Sequence, residues 1–215
     1  MLLRRIIPPA LALLAGLLGA AGASGQTPTA DAYRPITAQE RRNFYWRTNF
    51  ASKRAVLMPL FRASLNHLED EPPDWDEDLE AFAQRGAAKF AEGLTRRSTE
   101  AAVAAALGHD PRYIRKGEGY RVWSRVRHAL TSQVLTYDRN GGRVFAAGRV
   151  AGNYAGPMAA LAWLPERYSW KDGVREGTQK FIFRSGMSLL REFSPEIKGL
   201  ISRDDKSQPR DPNKK

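Results

Sequence analysis

The stretch Gly148-Arg149-Val150-Ala151-Gly152-Asn153-Tyr154-Ala155-Gly156 decides the fold. Three glycines recur every four residues, and Ala147, Ala151, Ala155 and Ala159 run beside them at the same interval. Residues four apart share one face of a helix, so this helix presents a face almost without side chains. Glycine inside a helix costs roughly 0.5–1 kcal/mol relative to alanine. Three glycines in register therefore call for a close backbone approach, a packing logic best known from helix pairs in membranes. We expect the helix to run over about Arg143–Trp163, kinked at Pro157. Its partner is expected to be another small-residue face, Gly86–Ala91 or Gly173–Gly186.

Working outward, the apolar residues follow helical periodicity. Leu79, Phe82, Gly86, Phe90 and Leu94 mark a helix that runs unbroken over Asp76–Leu107 or splits near Thr95–Ser98. Val122, Val126, Leu130 and Val134 mark another from Tyr120 to about Tyr137. Val174, Phe181, Ile182, Leu189 and Leu190 mark a final one over about Asp172–Phe193. Thr37-Ala-Gln-Glu40 reads as a capping box opening a helix. Leu57, Leu60, Phe61 and Leu65 carry a helix over Ser52–Leu68, with a break or kink predicted at Pro59. Gly108 reads as a C-cap, and Asp110-Pro111 as the N-cap and first residue of a short helical turn. Asn140-Gly141-Gly142 is a turn, and no useful strand alternation appears. The fold class expected is all-α, a bundle of five or six helices over 37–201.

The ends read differently. Arg4 and Arg5, an apolar run from Ile6 to Ala21 and the small residues Ala21-Gly22-Ala23 form the pattern of a cleaved secretory signal peptide. Residues 1–23 are thus expected to be a signal peptide, 24–36 a disordered mature N-terminus and 202–215 a disordered charged tail. The chain has no cysteine, which excludes disulfides, a lipid-modified cysteine and any thiolate metal site. The formal net charge is +11. On an exported protein such a charge points to an anionic membrane or cell-wall polymer as partner, with no nucleic acid expected. The expected location is the periplasm or outer cell envelope.

Arg41-Arg42-Asn43-Phe44-Tyr45-Trp46-Arg47 interleaves basic and aromatic residues. It suits a helix lying on a membrane surface. The favoured reading instead packs Phe44, Trp46 and Phe50 onto the bundle, because the three aromatics Phe44–Trp46 do not share one face. The glycine-striped helix is about as long as a bilayer span, roughly 20 residues. It nevertheless carries Arg149 and Asn153, and an arginine near the middle of a span costs about 2.5–3.5 kcal/mol. A bundle with one close helix pair is therefore preferred to a membrane-inserted hairpin of this helix and the next.

The densest polar cluster is His109-Asp110-Pro111-Arg112-Tyr113. If the helices fold back, His128 and Asp138 join it. His109, Asp110 and His128 are the weak candidates for acid–base catalysis, and the two histidines for a metal site. No His-Glu-x-x-His, Gly-x-Ser-x-Gly or Walker sequence supports either, so no metal and no cofactor is expected. Local capping accounts for Asp110 and Pro111 without chemistry. The connector, followed by Arg115, Gly117 and Gly119 and set between small-residue helices, resembles a group of exported bacterial helical proteins of unassigned function. The resemblance spans roughly Phe82–Trp163. It implies an all-α exported protein and carries over no activity, cofactor or catalytic residue. The leading expectation is a non-enzymatic envelope protein acting by packing or surface association. The alternative is a periplasmic hydrolase centred on His109 and Asp110.

Overall fold

The computed structural model describes residues 33–69, 72–76 and 78–199, the side chains of 54 and 56 excepted. The expected signal peptide, most of the mature N-terminus and the tail 202–215 lie outside the described residues. The fold is all-α. Helices α1 (Ala38–Trp46), α2 (Lys53–Leu68), α3 (Leu79–Leu107), α4 (Val122–Thr131), α5 (Ala147–Ala160) and α6 (Trp170–Glu192) follow in order. A five-residue π-helical turn, Arg47–Ala51, joins α1 to α2, and residues 194–199 are again helical.

The termini follow from local chemistry. The Thr37 hydroxyl accepts the Glu40 N–H at 3.2 Å while the Glu40 carboxylate accepts the Thr37 N–H at 2.9 Å, the expected capping box. The Asp78 carboxylate accepts the Ala81 N–H at 2.8 Å and starts α3. That helix then runs unbroken for 29 residues to Gly108, which takes φ +71°, a left-handed conformation open to glycine without steric cost. Helix α2 is not broken at Pro59. Pro59 sits inside α2, and the bend falls at Ser52 (φ −108°, ψ 138°), whose hydroxyl caps α2.

Two expectations are corrected between α4 and α5. The helices expected over Tyr120–Tyr137 and Arg143–Trp163 are shorter, because strands β1 (Leu135–Tyr137) and β2 (Arg143–Phe145) pair antiparallel between them. Thr136 faces Val144 in the register. The Asp138 carboxylate closes the turn by accepting the N–H groups of Asn140 (2.9 Å) and Gly142 (2.8 Å). Strands of three residues are too short to display an alternation. Only the turn residues signalled the hairpin.

The glycine stripe does bring two helices into backbone contact: it meets α3, the helix that carries the expected Gly86–Ala91 face, but further along, at Glu92–Ala104. A Cβ placed on Gly148 would lie 2.7 Å from the carbonyl oxygen of Glu100. On Gly152 it would lie 2.6 Å from that of Arg96, and on Gly156 2.8 Å from that of Glu92. As α5 advances by four residues, α3 retreats by four, so the two helices run antiparallel. Gly173 and Gly177 of α6 do pack on α5, but against Met158, Tyr154 and Asn153 on a different face. Gly86 lies near Leu60 and Ala63 of α2.

The consequence of this contact is a polar interior. Glu92, Arg96 and Glu100 stand beside a bare ridge, so their head groups reach past α5 to α6. Lys180 pairs with Glu92, and Arg184 lies 3.3 Å from Glu100. Arg85, Asn49, Asp110, Asn153 and Glu192 are among the most deeply buried large side chains of the described residues, whereas the buried hydrophobics are alanines and Ile114. Buried charges cost free energy unless paired and hydrogen-bonded, and most of these are. The Arg85 guanidinium donates to the carbonyls of Asp76 (2.8 Å), Trp75 (3.0 Å) and Pro72 (3.2 Å), gathering the acidic loop by its backbone. It also meets Nδ1 of His67 at 3.2 Å, which must accept, since arginine only donates.

No helix among the described residues is long and apolar enough to cross a membrane. Helix α5 has 14 residues, about 21 Å at 1.5 Å per residue, against a hydrocarbon core of roughly 30 Å. Its glycine face is occupied by α3.

Candidate functional site

The connector His109–Tyr113 is irregular, with a bend at Arg112. The expected helical turn after Asp110 does not form. Instead the Asp110 carboxylate accepts the Arg112 N–H two residues on at 2.9 Å and pairs with the Arg112 guanidinium at 2.7 Å. Competition of this kind between a short acidic side chain and the backbone favours a turn over a helix start. The Asp110 N–H donates to the Tyr137 carbonyl at 2.8 Å, and its own carbonyl accepts from the Thr136 hydroxyl at 2.6 Å. The connector is thereby stitched to the hairpin.

Two side chains hold the connector from the helices. Arg149, beside the first glycine of the stripe, is buried and donates to the carbonyls of Arg112 (2.6 Å), Leu135 (3.1 Å) and Ser132. Burial lowers its pKa, with Glu100 opposing. At the other end Glu192 is fully buried. Its carboxylate accepts from the Tyr113 hydroxyl (2.8 Å), the N–H groups of Lys116 and Gly117, and the Arg125 guanidinium (3.3 Å). Burial, and then the Glu192 carboxylate, push the Tyr113 phenol far above its ordinary value, so it stays a donor. Neither Arg149 nor Glu192 stood out as a fixing point in the sequence. Glu192 did leave one signal: it is the last residue of α6, and acids are disfavoured at a helix C-terminus, so one placed there calls for special partners.

The candidate catalytic residues go separate ways. Asp110 is engaged by Arg112. The His128 ring donates from Nε2 to the Ile114 carbonyl at 2.8 Å, and burial lowers its pKa. The His109 Nδ1 is buried without a hydrogen-bond partner, and Asp138 is taken up by its own turn. Among the described residues no hydrogen bond joins any two of these side chains. Among the described residues no three His, Asp or Glu side chains gather as a metal site.

A second electrostatic centre lies between α3, α5 and α6. Burial opposes ionisation of Glu100, but Arg184, Arg96 and Arg149 together hold its carboxyl below the usual range. Burial, then Arg184, push Arg96 down to about 9. The geometry is that of a closed brace, with charges facing one another across helices.

The outer surface carries what the interior lacks. Phe44, Trp46 and Phe50 were expected to pack onto the bundle, yet all are exposed, Trp46 by 60 %. Helix α1 has no buried residue at all. Trp46 and Phe50 contact each other instead, ring centroids 4.9 Å apart, with Leu57 half exposed further along. Arg42, Arg47 and Lys53 are exposed in the same stretch. Trp123 on α4 and Ile182 on α6 are exposed by 75 % and 67 %. Comparison with protein-family models, with curated proteins and with solved structures brings no match.

Proposed function

We propose that this chain is an exported protein of the bacterial cell envelope that associates peripherally with anionic lipid or polymer surfaces and performs no catalysis. The observation that carries the reading is the Arg42–Leu57 stretch, where Trp46, Phe50 and Leu57 are exposed among exposed Arg42, Arg47 and Lys53. Apolar and aromatic side chains at headgroup depth, with cations on phosphates, are what an interfacial helix requires. Each Lys or Arg near an anionic leaflet contributes about 1 kcal/mol. The leader pattern at 1–23 and the strongly basic chain support the same reading. The candidates for chemistry support it as well, since each already has a structural partner or lies apart from the others.

Sedimentation with vesicles tests it. The protein is expected to pellet with phosphatidylglycerol-containing vesicles and not with phosphatidylcholine alone. Binding should fall as salt rises from about 0.05 to 0.5 M, because the Debye length shrinks. Trp46→Ala together with Phe50→Ala should weaken it. Absence of binding at low salt, or equal binding to both vesicle types, would overturn the reading. Fractionating expressing cells tests the location: release from the envelope by high salt is expected, and a cytosolic protein would refute export.

A further inference from the structure

Helix α1 does not lie flat on α3. Between them opens a groove of about 680 Å³, within the 300–1,000 Å³ range of small-molecule sites. Its floor is the outward face of α3 around Ala101 and Ala105, and its rim carries Arg41 and Arg42 from α1 and Arg139 from the hairpin turn. The Tyr45 hydroxyl meets the Ser98 hydroxyl at 2.7 Å and spans the groove at that level. No residue lining it is acidic. The carboxylate near its mouth, Asp110, is already held by Arg112.

We propose that this groove binds a single-chain anionic amphiphile, an acyl chain with a phosphate or carboxylate head. Ala101, Ala102 and Ala105 give the floor an apolar strip, and the two hydroxyls that line the groove, Tyr45 and Ser98, are paired with each other, so the strip suits a hydrocarbon chain. Arg41 and Arg139 lie within electrostatic reach of each other, and with Arg42, which donates to Gln39, and no carboxylate in the lining they make the rim positive. Their planar donor pairs match the oxygens of a phosphate or carboxylate. Arg41 is oriented for this role, with one nitrogen donating to the His109 carbonyl at 2.8 Å, which steadies the side chain and leaves its other donors available. Burial, partly opposed by Asp110 and reinforced by Arg139, pulls Arg41 below its usual value. The groove lies on the helix that carries the exposed Trp46. A headgroup reached from a membrane surface would thus arrive at its rim. The proposal depends on the peripheral-association reading only for the source of the ligand.

Titration calorimetry of the purified protein with dodecyl phosphate, kept below its micellar concentration, is the test. Saturable binding near one equivalent is expected. Dodecyltrimethylammonium and inorganic phosphate should bind at least about tenfold more weakly, since each lacks one half of the recognition. Arg42→Gln with Arg139→Gln, both exposed positions, should weaken binding about tenfold or more. Ala105→Phe should block the groove. Circular dichroism checks that each variant keeps its helix content, and if Ala105→Phe fails that check the arginine pair decides. No saturable binding, equal binding of the cationic amphiphile, or a folded arginine pair with unchanged affinity would each overturn the proposal. Vesicle sedimentation is scored separately, so loss of groove binding with intact vesicle binding sinks this inference alone.

Discussion

Replacing Gly152 by alanine adds one methyl group, and the structure gives that methyl no room. Its carbon would lie 2.6 Å from the Arg96 carbonyl oxygen and 3.0 Å from the Glu100 Cβ. The nearest atom is backbone, which cannot rotate away, so α5 and α3 must separate or shift. Overpacking of this kind costs about 1–3 kcal/mol, occasionally more. The gain in helix propensity returns only about 0.5–1 kcal/mol. We expect a net loss of about 1 kcal/mol, read as a melting temperature lower by roughly 2–4 °C for a chain of this size. Gly186→Ala in α6 is the matched control, because nothing lies within 4 Å of a Cβ there. It should gain about 0.5–1 kcal/mol. Thermal and urea unfolding followed by circular dichroism measures both. The same chemical change must give opposite signs at the two glycines. If Gly152→Ala is as stable as Gly186→Ala, α3 and α5 do not meet along the stripe and the packing account fails.

Further outcomes follow from the buried charges. Glu192→Gln should destabilise by about 3–5 kcal/mol, since it removes the buried charge shared by the Tyr113 hydroxyl, the Lys116 and Gly117 N–H groups and Arg125, and leaves Arg125 with Glu196 alone, whereas Tyr113→Phe should cost only about 1.5–3 kcal/mol for one hydrogen bond to a charged acceptor. Equal losses in urea unfolding would show that the carboxylate is not the centre of that network. His128, held neutral by burial, has a folded pKa below its unfolded value near 6.5. Between those two pKa values the unfolded chain binds more protons, so stability falls as pH drops below about 6.5 and levels off beneath the folded pKa. His128→Gln should flatten that part of the stability–pH curve. An unchanged slope would assign the effect to other groups.

The caps were legible because they are made within four residues of chain. The Thr37–Glu40 box and the Gly108 terminus need no distant partner, and neither does the Asn140–Gly142 turn. The bare face of Gly148, Gly152 and Gly156 was equally plain, since helical spacing alone places the three together. What covers that face was not legible. Glu92, Arg96 and Glu100 look like a solvated stripe in sequence, and the expectation went to small residues elsewhere. The glycines contact backbone carbonyls, which every residue type possesses, so side-chain identity on α3 carried no sign of the contact. The same distance effect hid the ends of α4 and α5, where two three-residue strands pair across a turn, and hid Arg149 and Glu192, whose partners lie tens of residues away.

By itself, then, the sequence determined the all-α class, most helix starts and stops, the absence of thiol chemistry and the need for one close helix pair. Each of these rests on composition or on interactions within a turn or two of helix. Tertiary structure alone decided which segment of α3 fills the glycine face, that the interior would be a brace of paired charges, and that Asp110 turns toward Arg112 instead of starting a helix. It also left Trp46 and Phe50 outside. Those outcomes depend on which surfaces meet once the chain is closed: backbone contact along α5 leaves no room there for large side chains, so the charged heads fold inward across the ridge and the large hydrophobics remain at the surface.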